Sequence, residues 1–140
     1  MILMNAGDLP GAEERLGAAV KLDVRDPVAA YDLGLVFARE GKYREARAAY
    51  ENAVARDPGF APGQFELGRE LERAGDVMGA VEHHAAAALL KRDAPALERL
   101  GVALEMLGRP EESERYFREA LEIDPGLGSG RTAPRGQPAP

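Results

Sequence analysis

The stretch of sequence that decides the fold is residues 27–60, PVAAYDLGLVFAREGKYREARAAYENAVARDPGF. Its Leu33-Gly34 pair recurs as Leu67-Gly68 and again as Leu100-Gly101. The glycines of these pairs are 34 and then 33 residues apart. The chain therefore contains an internal repeat, and its second copy has lost one residue near Arg92-Asp93.

Four further positions recur in step with the Leu-Gly pair: a second glycine, a small residue, a ring and an alanine. In the three copies they are Gly41, Ala46, Tyr50 and Ala53; Gly75, Ala80, His84 and Ala87; and Gly108, Ser113, Phe117 and Ala120. The second glycine can adopt the left-handed conformation that ends a helix. Asp57-Pro58 ends the next helix, because proline disfavours helical geometry in the residue before it. The first copy is therefore predicted to form two helices, Pro27–Glu40 and Tyr43–Arg56.

The glycine inside each first helix needs a structural reason, since it costs about 1 kcal/mol relative to alanine. We expect Gly34 to face Ala46 and Ala53 on the next helix, so that the two helices pack closely. Leu33 and Phe37 would lie beside this contact.

This pattern resembles the tetratricopeptide repeat family from Pro27 to about Leu127. The resemblance implies an all-α, right-handed superhelical solenoid of about seven helices in helix–turn–helix repeats. It is weakest in the second copy, where His84, Arg92 and Gln64 replace the ring, the closing proline and a large apolar residue.

The repeat gives a map of the whole chain. Gly7 and Ala12 lie 34 residues before Gly41 and Ala46, so a helix is expected at about Pro10–Leu22. Its partner helix is missing, which a late start codon, an excised fragment or a helix from another chain would explain. The predicted units are an incomplete leading repeat (1–26, second helix only), three repeats (27–60, 61–93 and 94–127) and a disordered Gly/Pro-rich tail (128–140, with irregular chain from Gly126).

Composition excludes several classes of function. The 140 residues carry 18 basic and 24 acidic side chains, a net charge of −6, which argues against nucleic acid as the main partner. Without cysteine, disulfides and thiolate metal sites are impossible. The apolar start, Met1 to Met4, is too short for a signal sequence, and no apolar run approaches the roughly 20 residues that span a bilayer. We expect a cytoplasmic protein without a membrane partner.

The sequence offers little material for catalysis or metal binding. His83 and His84 are adjacent, so on a helix they point about 100° apart and cannot chelate one metal ion. His84 is expected to fill the ring position and His83 to face solvent. Glu70 stands where the other repeats are apolar, and is expected to be half-buried and paired with an arginine or histidine. We therefore expect no catalytic residue, cofactor or metal.

The resemblance implies that the first helices line a concave groove that binds a peptide or protein segment. Counted from each Leu-Gly pair, the groove positions are Tyr31, Leu35, Ala38 and Arg39; Phe65, Arg69, Glu72 and Arg73; and Glu98, Val102, Glu105 and Met106. Aromatic rings and arginines in the first two repeats favour an acidic and apolar ligand. The alternative is that the arginines pair with Glu72, Glu98 and Glu105, while Tyr31 and Phe65 shield the interior.

The favoured function is a non-enzymatic protein-interaction module or scaffold. Two alternatives stay open: a docking or regulatory segment of a larger enzyme, and a dedicated chaperone for one secreted or assembled partner. The open ends of the array also allow a homo-oligomer.

Overall fold

The computed structural model describes residues 8–130, with side chains up to Leu127. Within these residues there are seven α-helices and one short 3-10 helix, and no strand. The helices are α1 (Leu9–Leu22), α2 (Pro27–Arg39), α3 (Tyr43–Arg56), α4 (Ala61–Ala74), α5 (Val77–Leu90), α6 (Ala94–Met106) and α7 (Pro110–Ile123), followed by the 3-10 helix Pro125–Gly130. The all-α prediction is confirmed, and α3 has the predicted bounds.

Glycine makes the turn inside each helical pair. Gly41, Gly75 and Gly108 have φ angles of 77°, 88° and 82°, in the left-handed region that costs glycine no steric penalty. They separate α2 from α3, α4 from α5 and α6 from α7. The three short turns make each pair antiparallel, as the repeat predicts.

The helices stack in chain order. The pairs α2/α3, α4/α5 and α6/α7 pack most closely, and α1/α2, α3/α4 and α5/α6 join them into one array. The first helices α2 and α4 also contact each other. Each element therefore packs mainly on its neighbours in sequence, which is the solenoid arrangement.

The ring of each second helix packs against the glycine of the first helix. A Cβ built on Gly68 would lie 2.6 Å from Cε1 of His84, and one on Gly101 would lie 2.7 Å from Cε1 of Phe117. At Gly34 the nearest atoms belong to Tyr50, not to Ala46 or Ala53 as expected. The close approach is thus between helix backbone and ring face, which a side chain on the glycine would block.

The chain beyond α7 differs in part from the prediction. Residues 126–130 belong to the 3-10 helix instead of irregular chain, and Leu127 packs against the core between α5 and α7. The amide of Leu127 donates to the Asp124 carbonyl at 3.1 Å. Leu127 is partly buried, and the hydrogen bond to Asp124 closes a short turn after α7. The remainder of the predicted tail, 131–140, and residues 1–7 lie outside the described residues.

Candidate functional site

The nine side chains predicted to line a groove lie on the first helices α2, α4 and α6, at spacings of three or four residues that put each helix's trio on one side. Six are partly buried: Tyr31, Leu35, Phe65, Glu98, Val102 and Glu105. Three are exposed: Arg39, Arg69 and Arg73. We call the surface formed by these nine side chains the first-helix face.

Two arginines of the first-helix face are held by carboxylates three residues earlier in α4. Nη1 of Arg69 lies 3.4 Å from Oε2 of Glu66, and Nε of Arg73 lies 3.3 Å from Oε2 of Glu70. The Arg73 guanidinium also stacks over the Tyr43 ring, 4.1 Å from its centroid. Both arginine side chains are 47% exposed, whereas those of Glu66 and Glu70 are 16% and 4% exposed. A half-buried acid, Glu66, and a buried acid, Glu70, thus each pair with an exposed cation.

This geometry settles two expectations about α4. Glu70 pairs with an arginine as expected, but it is buried instead of half-buried. The alternative pairing of Arg69 and Arg73 with Glu72 is wrong, since Glu72 forms its ion pair with Arg99 and contacts the His84 ring. The spacing of three residues explains the observed pairs, because it brings side chains together on one helix face.

The environment of these acids has a low effective dielectric constant. Burial raises the pKa of Glu66, against the opposing effect of Arg69. Burial also raises the pKa of Tyr50, helped by the negative charges of Glu66 and Glu70. Glu66 therefore binds a proton at a higher pH than an exposed glutamate does, and that proton removes part of the charge compensation of Arg69.

The two aromatic rings of the first-helix face are shared between the interior and the surface. Tyr31 packs edge-on against Phe60, with 5.3 Å between ring centroids, and 6.0 Å from Tyr50. Phe65 packs against the buried ring of His84 at 5.7 Å. Both rings therefore support the array from within, in agreement with the alternative interpretation, and both also line a surface cleft.

This cleft, of about 210 Å³, opens between the N-terminal parts of α4 and α6. Its walls are mainly apolar: Tyr31, Ala61, Pro62, Phe65, Ala87, Pro95 and Ala96. Two charged residues, Lys91 and Asp93, complete its lining and lie 3.6 Å apart as an ion pair. Sequence analysis identified Tyr31 and Phe65 but missed the prolines, although each stands second in its helix and belongs to the same repeat position.

A buried polar link joins the second repeat to the third. Glu72 of α4 pairs with Arg99 of α6 and lies 3.3 Å from Nε2 of His84 on α5. Burial alone would raise the pKa of Glu72, but the polar contact with His84 and the charge of Arg99 lower it below its usual value. His84 occupies the ring position as predicted, and it adds this polar contact. Glu72 is thus a structural residue more than a ligand-facing one.

His83 does not simply face solvent as expected. Its Nδ1 lies 2.7 Å from Oε1 of Gln64, and Nε2 of Gln64 donates to the carbonyl of Pro58 at 3.0 Å. The amide orientation makes Oε1 the acceptor, so Nδ1 of His83 carries the proton. Gln64, which replaces a large apolar residue, is buried, and its hydrogen bond with His83 connects α4 with α5.

The described residues contain no group of three or more His, Asp or Glu side chains arranged to hold a metal ion. None of the helices in the described region has the length and apolar character needed to cross a bilayer.

Sequence models of the tetratricopeptide repeat match residues 1–60, 31–83 and 94–127. The human protein O-mannosyl-transferase TMTC2 is 31% identical over 102 residues, which are 70% of this chain. The match covers 12% of that relative, so the chain spans about an eighth of its length.

Two solved structures are similar in both fold and sequence. The crystal structure of MamA is 27% identical with a TM-score of 0.79, covering 90% of this chain and 74% of that one. The second tetratricopeptide domain of Spaghetti (RPAP3), bound to the HSP90 peptide SRMEEVD, is 25% identical with a TM-score of 0.68. There the match covers 71% of this chain and 93% of the other.

Proposed function

The chain belongs to the tetratricopeptide repeat family, and from that premise we propose that it is a non-enzymatic interaction module that binds a peptide or protein segment on the first-helix face. The observation that carries the proposal is the pair Arg69 and Arg73. Each is exposed, and each lies beside a carboxylate of α4, the half-buried Glu66 for Arg69 and the buried Glu70 for Arg73. An arginine already fixed on one side loses less conformational entropy when its remaining donors bind a ligand carboxylate.

The proposed ligand is acidic and apolar. Arg69 and Arg73 supply forked donors for carboxylates, while Tyr31 and Phe65 supply apolar area at low entropy cost. The peptide bound to the RPAP3 domain, SRMEEVD, combines acidic with apolar residues. The exposed guanidinium groups of Arg69 and Arg73 would attract such a segment locally even though the chain as a whole carries −6.

The test is capture of partners from the native source by the tagged chain and by the double variant Arg69→Glu with Arg73→Glu. We expect the variant to keep the helical circular dichroism signal. Its affinity for the captured partner should fall at least tenfold, which is about 1.4 kcal/mol of binding free energy. The matched control is Arg115→Glu with Arg118→Glu on α7, which makes the same change in net charge at exposed positions. Equal binding by both double variants would exclude the first-helix face.

The match to a much longer relative favours a second candidate, a docking or regulatory segment within a larger protein. In that case the native gene product would run well above 15.0 kDa on an immunoblot raised against these repeats. A product of 15.0 kDa would favour the free-standing module.

A further inference from the structure

We propose that a second binding site lies between the second helices α3 and α5, and that it receives an arginine side chain of a basic protein segment. The site is a cleft of about 410 Å³, a size typical of ligand sites, and α4 forms its floor. We call it the outer cleft. Its lining includes Glu51 and Val54 of α3, Leu67 and Leu71 of α4, and Asp76, Glu82 and His83 in and before α5.

The outer cleft and the first-helix face lie on opposite sides of α4. Leu67 is two residues after Phe65, and Leu71 is two residues after Arg69. Since each residue turns the helix by about 100°, each of these leucines points about 160° away from the earlier residue. A ligand in the outer cleft would leave the first-helix face open, so this inference does not depend on the proposed function.

The rim of the outer cleft is acidic. Glu51, Asp76 and Glu82 are all exposed. Oδ1 of Asp76 accepts a hydrogen bond from the Gly79 amide at 2.9 Å, as the N-cap of α5. Oε1 of Glu51 lies 3.9 Å from Nε of Arg47, close to the limiting distance of an ion pair, and Glu82 forms no ion pair with any described residue. Three carboxylates thus meet one loosely paired cation, and this excess of negative charge would attract a cationic group.

His83 adds a hydrogen-bond acceptor to the rim. Its Nδ1 donates to Oε1 of Gln64 at 2.7 Å, which leaves Nε2 of the neutral ring as an acceptor. Burial lowers the pKa of His83, so the ring is mainly neutral at pH 7. The ionisable side chains of the rim therefore offer acceptors only. An arginine matches both parts of the cleft, because its guanidinium carries five donors and its apolar stem can lie on Leu67 and Leu71.

The other repeats show that the fold does not require an acidic rim. The three acidic positions, Glu51, Asp76 and Glu82, correspond to Gly17, Lys42 and Ala48 one repeat earlier and to Ala85, Arg109 and Arg115 one repeat later. At these positions the neighbouring units are therefore neutral or basic. The negative charge is particular to the outer cleft, as recognition of a cation would require.

The experiment titrates the ¹⁵N-labelled full chain with the end-blocked peptide Ala-Arg-Ala at pH 7 and follows the backbone amide signals by NMR. We expect the amides of Gly79 and His83 to shift, whereas those of Glu112 and Tyr116, at the equivalent positions of α7, should not. The citrulline peptide keeps the shape of arginine without its charge and should bind about tenfold more weakly. The lysine peptide, which lacks the planar fork, should bind about threefold more weakly.

Variants then assign the rim. Glu51→Gln with Glu82→Gln should weaken binding of Ala-Arg-Ala about tenfold. The matched control is Glu111→Gln with Glu122→Gln, which makes the same change in net charge at exposed positions of α7 and should leave binding unchanged. Circular dichroism checks that both double variants keep the helical signal.

Three results would overturn the proposal. The first is equal binding of the arginine and citrulline peptides, or an equal loss in the two double variants. The second is a set of shifts confined to the first-helix face. The third is the absence of any shift with peptide at about 10 mM, since a specific contact of even 1 mM affinity would then be nearly saturated. None of these results bears on the partner-capture experiment, which tests the first-helix face separately.

Discussion

The imidazole of His84 lies directly on Gly68, so close that a Cβ at this glycine would be 2.6 Å from Cε1 and 2.7 Å from Nδ1 of the ring. His84 is fully buried and pairs with Glu72, so the ring cannot swing away without breaking that contact. The packing of α4 on α5 in the second repeat therefore requires that residue 68 carry no side chain.

Substitutions at Gly68 should therefore destabilise the protein. Gly68→Leu should cost on the order of 1–3 kcal/mol or more by overpacking, and even Gly68→Ala should lower the free energy of unfolding. The control is Gly17→Ala on α1, where no side-chain atom lies within 4 Å of the added Cβ. That variant should gain up to about 1 kcal/mol from helix propensity. Urea denaturation would measure both, and a stabilised Gly68→Ala would contradict the close packing of His84 on this glycine.

The buried link at Glu72 should be worth more than an exposed ion pair. Glu72→Gln should cost about 1–3 kcal/mol, because it leaves the buried His84 and the partly buried Arg99 with a weaker partner. The reference is Glu119→Gln, which breaks the more exposed pair between Glu119 and Arg92 and should cost less than about 1 kcal/mol. Thermal melts of the two variants side by side would measure the difference. Equal losses would mean that the link contributes no more than a surface contact.

Stability should depend on the protonation of His83. Burial, the largest effect, lowers the pKa of His83 below its usual 6.5, so the unfolded chain binds this proton more readily than the folded one. The stability that the folded chain has with His83 neutral is therefore complete above pH 6.5, and it is lost as the pH falls through the lowered pKa of His83. His83→Gln should remove this part of the pH dependence. Denaturant titrations at about pH 7.5 and pH 5.5 would measure it, and parallel losses in variant and parent would disprove it.

The end of the array should depend on Leu127 and not on the residues after it. Deleting residues 128–140 should leave the melting temperature within a degree or two. Leu127→Asp should lower it by several degrees, since the leucine packs on the core formed by α5, α6 and α7. Differential scanning fluorimetry would compare the two. A large loss from the deletion alone would show that residues beyond Leu127 also pack on the array.

Much of the helical architecture could be predicted, because its determinants are local. Tyr43–Arg56 is bounded by a glycine turn and an Asp-Pro pair, and both act within a few residues of the helix end. The ring of Tyr50 against Gly34 could not be predicted in the same way. Ala46, Tyr50 and Ala53 share one face of α3, and which of them meets the glycine depends on how two helices are set against each other.

The candidate site likewise combines contacts that follow from local sequence with contacts that depend on how the helices pack. Glu66 and Arg69 are three residues apart, so their pairing could have been read from helix geometry. The pairing of Glu72 with Arg99 joins residues 27 apart on different helices, and no local rule selects Arg99 over other arginines. The cleft is also missed by sequence patterns, because it exists only where α4, α5 and α6 come together.

The link among Glu72, His84 and Arg99 has a mechanical consequence. α1 buries only Ala12 and Leu16, and α7 only Ser113 and Ala120 among their side chains, whereas α4 buries six residues. Pulled by its two ends, such an array would peel from the outside inwards, one helix at a time. Peeling would then meet its highest resistance at the block of α4, α5 and α6, where charged and hydrogen-bonding groups must separate together with the apolar contacts. The block that carries most of the proposed ligand contacts would be the last to lose its shape under tension.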